Sequence, residues 1–587
     1  MKFIRNVIAT LVALMLFFGF FFVILIGIAS MSGGDEVAVK SNSILTLKLN
    51  KPIKEQGQED PFSELNIPFA PELPMGLDQI KQSIAKAAMD DRIEGIYLDL
   101  STVGAGFSSL EEIRKSLVAF QDSGKFVVAY GEYFSEGAYF LAAAANEAYL
   151  HPLGAIELNG LSAELTFYKG LFDKIGVKPE IFRVGKYKSA VEPYIRKEMS
   201  EENRQQISAY INGLYDFYLA RVSENREIPL EKLTEISDQS LVREAEDAKE
   251  LGLIESLAYH DEVMDILRNK LGLESDDKIN FIGLGKYSKA GVKGASKYNK
   301  NKIAVLVAEG EMQMGKSTDG VMGAETIVSE IRKVRKDDNV KAVVFRINSP
   351  GGSALAADLI WRELMLLKEK KPVIASMSDV AASGGFYIAA ACDTIMAQPN
   401  TITGSIGVFG MFLNPNELMT EKLGITFDVE KTGELSDFGS VGHELTDVER
   451  QIIQTSVERT YEIFTQKVAD GTGLSQDSVK ELASGRVWTG QQAFDRGLIH
   501  MLGDFEKSVA IAAEKAELEA GDFQLKYFPQ KKDFLTELLE GMSTQMKQSQ
   551  LESELGELYP VLKEMKKLKA QNGKVQVLMP FEPYSLR

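Results

Sequence analysis

Residues 90–117 read "DDRIEGIYLDLSTVGAGFSSLEEIRKSL", and residues 337–364 read "DDNVKAVVFRINSPGGSALAADLIWREL". The two stretches align without a gap. The same offset carries "EGAYFLAAAANEAYLHP", from Glu136, onto "SGGFYIAAACDTIMAQP", from Ser383. Farther on, "KIGV" at Lys174 matches "KLGI" at Lys422, and "AKELGLIE" at Ala248 matches "AFDRGLIH" at Ala493. The strand openings agree too, "SILTLKLN" from Ser43 against "IAVLVAEG" from Ile303. An offset that drifts by so few residues over such a span marks an internal duplication, two units of one fold.

Each unit alternates β-rich apolar runs with amphipathic segments. Residues 95–100, 125–130, 342–347 and 373–377 read as strands, and 110–120, 355–368 and 449–470 as helices. Thr446 with Glu449 makes a capping box, and Ser200 holds the matching place in the first unit. This alternation predicts an α/β fold with covered sheets. Residues 43–284 form the first unit and 303–529 the second, joined by the basic stretch 285–302. Beyond residue 529 the repeat ends, and 530–587 read as a charged helical tail interrupted by Pro560.

The chain of 587 residues is too long for one core. Its net charge of −18 argues against nucleic acid as a partner, because phosphate binding needs clustered cations. The single cysteine, Cys392, excludes an intrachain disulfide, and the four scattered histidines have no zinc-site spacing. Residues 7–28 are an apolar run long enough to cross a bilayer, preceded by Lys2 and Arg5 and followed by Asp35 and Glu36. That asymmetry predicts a membrane anchor, with residues 1–6 in the cytoplasm and the bulk of the chain on the far side. A cleaved signal peptide ending near "GIAS" is the competing reading.

Differences between the copies point to chemistry. The first unit has "STVGAG" where the second has "NSPGGS", and Leu158 where the second has Ser405, in "TITGSIGVFG". Conversely, "VGKYKSAVEP" in the first unit carries Lys188 where the second has Ser436. One copy thus offers a serine and the other a lysine. A buried lysine with a lowered pKa can take a proton from a serine hydroxyl, a known variant of nucleophilic catalysis. The glycines of "NSPGGS", between a strand and a helix, can present amides to an oxyanion, or simply make the turn. "ASGGF", residues 382–386, reads as close helix packing at Gly384 and Gly385.

The motifs "INSPGGS", "ASGGFYIA", "TGSIGVFG" and "YKSAVEPY" make the chain resemble the signal peptide peptidase A family of S49 serine peptidases, in its long, protease IV-type form. The resemblance runs from about residue 43 to 525, and the tail has no matching motif. It implies two ClpP/crotonase-type domains, a membrane-anchored homotetramer on the outer side of a bacterial inner membrane, and degradation of apolar signal-peptide remnants. No metal or organic cofactor is implied. Carried onto this sequence, Ser405 is the expected nucleophile, Lys188 the general base, and Gly351 with Gly352 the oxyanion donors. The residues themselves leave open a crotonase-like acyl-CoA enzyme, a Ser-His-Asp peptidase using His443, and an inactive membrane-tethered scaffold.

Overall fold

A computed structural model describes residues 5–6, 10–17, 19–20, 37–57, 74–292, 299–530, 556 and 559–580. The predicted anchor, 7–28, falls mostly outside these. Among the described residues no helix is long and apolar enough to cross a membrane.

The first unit is built on β1 (Ser43–Lys48), β2 (Ile93–Asp99), β3 (Phe126–Phe134) and β4 (Glu147–Ile156). With Ser256–Leu257 and Asn280–Gly283 they form a six-stranded, wholly parallel sheet. Strand β5 (Lys178–Val184) leaves this sheet. The second unit repeats the plan with β6 (Lys302–Glu309), β7 (Glu311–Gln313), β8 (Val340–Ser349), β9 (Gly351–Ser353), β10 (Val373–Ala382), β11 (Ile402–Gly404), β12 (Val408–Asn414) and β13 (Val487–Thr489). Its main sheet runs β13-β11-β10-β8-β6 and ends on Gln524–Phe528. All ten residues of β10 are buried, as expected of a central strand covered on both faces. The predicted strands and helices are all present, most of them longer than predicted.

One alignment needs correction. β1 pairs Ile44 with Gly95, and β6 pairs Ile303 with Ala342. Ile44, not Ser43, is therefore the counterpart of Ile303. Both faces of β1 are covered, so no polar alternation set its phase in the sequence.

Helix α1 (Phe107–Gln121) joins the units: the Ser109 amide and hydroxyl donate to Asp379 of β10 at 2.9 and 2.6 Å. Beside it the guanidinium of Arg346, on β8, donates to Glu55 at 2.8 Å and lies 2.9 Å from Glu112 of α1. Helices α2 (Glu201–Arg226) and α3 (Asp447–Thr472) are repeat equivalents, capped by Ser200 and Thr446 as their sequences predict.

The predicted linker is folded at its start. Leu284–Tyr287 is helical, and buried Tyr287 donates to Asp90 at 3.1 Å. The tail is not wholly helical either. Helix α4 (Tyr559–Gln571) leads into strand β14 (Val575–Leu578), which joins a third sheet ordered Val321–Gly323, β7, β9, β14, β12, β5.

Candidate active site

β5 of the first unit pairs antiparallel with β12 of the second along seven residues, from Val184↔Val408 to Lys178↔Asn414. The chain leaves β5 through Gly185, at φ +100°, and Lys188 follows three residues later. Ser405 lies three residues before β12 begins. The strand pairing therefore brings the two predicted residues together from opposite halves of the chain.

Lys188 is fully buried. Its Nζ donates to Ser383 Oγ at 2.7 Å, to the Ser405 carbonyl at 2.9 Å and to Ser405 Oγ at 3.1 Å. Among the described residues no carboxylate pairs with it, and burial holds its pKa well below the ordinary lysine value. Its loop is fastened by Gln206 of α2, which donates to the Tyr187 carbonyl (3.1 Å) and Ser189 Oγ (2.7 Å) and accepts from the Val487 amide of β13 (3.3 Å). Gly407 explains the glycine spacing around Ser405: a Cβ there would lie 3.1 Å from Lys188 Cδ and 2.8 Å from Gly485 Cα. That glycine makes room for the lysine stem.

Ser383 was missed by the sequence reading, which treated "ASGGF" as packing. It directly follows β10 and is the N-cap of helix α5 (Gly384–Ala389), with φ +54° and ψ −110°. A non-glycine residue held at positive φ in a sharp strand-to-helix turn is strained, and such turns expose nucleophiles. The Ser383 amide donates to the Gly404 carbonyl at 2.8 Å, tying the two serine turns together. Ser405 also has positive φ, +50°, but links two strands, and its amide donates to the Arg486 carbonyl at 2.6 Å. A signal for Ser383 did exist. The first unit has Glu136 at the matching place, where its carboxylate accepts from the Asn159 and Gly160 amides at 3.2 and 2.9 Å.

The glycine turn of β9 packs against this elbow. A Cβ on Gly351, at φ +97°, would lie 2.6 Å from the Gly384 amide nitrogen, so that position requires glycine, and one on Gly384 would lie 3.0 Å from Gly351 Cα. The Gly351 amide, the first expected oxyanion donor, donates to Ser349 Oγ at 3.2 Å. Gly352, at φ +149°, lies beside it in β9. His443 pairs through Nε2 with Asp437 at 3.1 Å and through Nδ1 with the Glu444 carbonyl at 2.7 Å. Neither serine is its partner, so the geometry gives no support to a triad. Ser436, the counterpart of Lys188, is in an exposed loop.

The pattern of Peptidase family S49 matches residues 119–274 and 365–519, and that of Clp protease matches 294–403. Among curated proteins, "Protease 4" of Haemophilus influenzae is 35% identical over 96% of this chain and 94% of its own length. "Protease 4" of Salmonella typhi is 37% identical over 80% of this chain and 76% of its own. "Serine protease SPPA, chloroplastic" of Arabidopsis thaliana is 37% identical over 82% of this chain and 70% of its own. Matches in both halves, with coverage of nearly the whole chain, show that it belongs to peptidase family S49, in the long signal peptide peptidase A form, and is a serine protease.

Proposed function

We propose that the chain hydrolyses extended apolar peptides with Ser383 as nucleophile and Lys188 as general base. Ser405, the nucleophile expected from the sequence, becomes the residue that holds the lysine. The observation that carries this reading is the buried Lys188 amine between two serine hydroxyls, at 2.7 Å from the one in the strained elbow. Neutral Lys188 takes the Ser383 proton as Oγ attacks the scissile carbonyl. Negative charge then develops on the carbonyl oxygen, beside the amides of Gly384 and Gly352. Protonated Lys188 gives its proton to the leaving amine, and the neutral amine next activates water to release the acyl group.

The substrates fitting this reading are signal-peptide remnants and similar apolar peptides at a bacterial inner membrane. Residues 7–28 would tether the chain with its catalytic units on the outer side, and alkaline extraction should leave it in the membrane fraction. Assembly follows from the duplication. The β5–β12 joint uses one end of each unit, and the matching segments, 426–432 and 161–167, contain no strand here. Phe427 and Val429 are exposed in the first of them, and Leu423 and Ile425 just before it. A second copy supplies the missing partner head to tail, and repetition of that contact closes a ring, as in a homotetramer.

Hydrolysis of an apolar signal peptide by single variants tests the chemistry. Ser383→Ala and Lys188→Ala should each lower kcat/KM by about 10⁴-fold or more, because members of one catalytic unit fail together. Ser405→Ala should cost only about tenfold, the order of one lost hydrogen bond. An active Ser383→Ala beside an inactive Ser405→Ala would return the nucleophile to Ser405.

A further inference from the structure

Five residues of the second unit, 484–488, read "SGRVW" and touch both sides of the Lys188–Ser405 contact. On the lysine side, the Tyr187 amide donates to the Ser484 carbonyl at 2.9 Å. A Cβ on Gly485, at φ +81°, would lie 2.6 Å from the Lys188 amide nitrogen, and one on Gly185 would lie 2.5 Å from the Ser484 carbonyl oxygen. On the serine side, the Ser405 amide donates to the Arg486 carbonyl at 2.6 Å, and the Gly485 amide to the Ile406 carbonyl at 2.9 Å. Val487 and Trp488 then enter β13 and pair with Gly404 and Thr403 of β11. The backbone of this one segment runs from the lysine loop of the first unit to the serine turn of the second.

One side chain spans the same gap. The Arg486 guanidinium lies over the Trp488 ring, 4.3 Å from its centroid, and over the Tyr187 ring, 5.1 Å from its centroid. Both distances are within cation–π reach, and a planar guanidinium stacks on rings as an ammonium cannot. Exposed Lys186 also lies over Tyr187, at 5.2 Å. Tyr187 directly precedes Lys188. Trp488 crowds Gly404, directly before Ser405: a Cβ there would lie 2.7 Å from Trp488 Cδ1. The repeat shows that the fold does not call for this stack. Helices Ala245–Glu250 and Gly490–Asp495 are equivalents. Four residues before their starts stand Leu241 and Arg486, and two before them Arg243 and Trp488. The first unit, with Leu158 in place of Ser405, has Leu241 packed against its apolar core instead.

We propose that Arg486 is a positioning residue for the proton transfer: its guanidinium, stacked on Tyr187 and Trp488, holds the Lys188 amine within hydrogen-bond distance of Ser383 and Ser405. The proposal rests on the reading of Lys188 as general base. Arg486→Met keeps the bulk of the stem and removes the guanidinium. It should lower kcat about a hundredfold, the cost of roughly 1 Å of misplacement, with little change in KM. A lysine loosened from its burial regains part of its ordinary pKa, so the rise of kcat/KM should move to higher pH. Tyr187→Leu should show the same loss and the same shift, and Tyr187→Phe, which keeps the ring, should restore both. The double variant Arg486→Met, Tyr187→Leu should lose no more than either single one, because both break one contact. Arg496→Ala removes a second guanidinium over Trp488, 4.1 Å from its centroid, and should leave kcat and the pH profile as they are. Thermal melts show that the rates refer to folded chains. If Arg486→Met does not fold, the two variants of half-buried Tyr187 read the same contact. Unchanged kcat and pH profile in Tyr187→Leu, or an equal loss in Arg496→Ala, would overturn the proposal. Beside an inactive Lys188→Ala, that result leaves the mechanism standing. An active Lys188→Ala would sink the mechanism and the positioning role together.

Discussion

The proposed mechanism concentrates its chemistry in one buried amine, Lys188, and its titration gives the sharpest residue-scale expectations. In the proposed mechanism the active form is the neutral base, and burial lowers its pKa. kcat/KM should therefore rise with pH through that lowered value and plateau well below the ordinary lysine range. A pH–rate profile that begins to rise only near 10.5, the value for an unperturbed lysine, would contradict the assignment. The same shift bears on stability. Between the lowered folded value and the unfolded one, the unfolded chain binds more protons, so stability rises with pH across that window. Lys188→Met should remove this dependence and raise Tm at neutral pH, by a margin that shrinks as pH climbs. Thermal melts of both chains across that range check it. Lys188, which the structure buries beside two serines, stood out in the sequence because the other repeat lacks it. Ser383 was hidden by its setting, since a strand-to-helix turn rich in glycine looks the same whether it packs or catalyses.

At the scale of elements, the site exists because β5 crosses from the first unit to pair with β12 of the second. The connection from β11 to β12 must then leave space for a lysine stem. Gly407→Ala should displace Lys188 and lower kcat by about a hundredfold, the cost of roughly 1 Å of misplacement, with little change in KM. Steady-state kinetics separate the two. Most elements were legible because strand and helix periods differ and each pattern occurs twice. The phase of β1 was not, because a strand covered on both faces has no polar alternation to mark it. The exchange of β5 was equally invisible, because neither its residues nor those of β12 say which edge they join. β14 escaped for a third reason: it is too short, and it has no repeat to align with.

Across the whole molecule, the two units are held together by buried charge as well as apolar contact. Arg346 is flanked by Glu55 and Glu112, and Lys81 also pairs with Glu112. Beside Arg346 and Lys81 the Glu112 carboxyl is held below its ordinary range. Removing one member leaves buried charge uncompensated, so Glu112→Ala should cost about 3–5 kcal/mol of stability in denaturant titrations. Because the site is shared between units, activity should fall in parallel with folded fraction. The apolar loop that includes Ile425 and Phe427 is exposed. The double variant Ile425→Asp, Phe427→Asp should convert a four-chain particle to monomers by light scattering. A wild-type monomer would remove the ring proposal and leave the site intact. The duplication itself was readable from the sequence alone.

The central claim is that a serine of the second unit attacks while a lysine of the first activates it. Mass-spectrometric mapping of the covalent adduct formed with an acylating apolar peptide ester tests this most directly. The account predicts the adduct on Ser383, and its loss in Lys188→Ala. An adduct on Ser405, or one on Ser383 that forms equally well without Lys188, would contradict it.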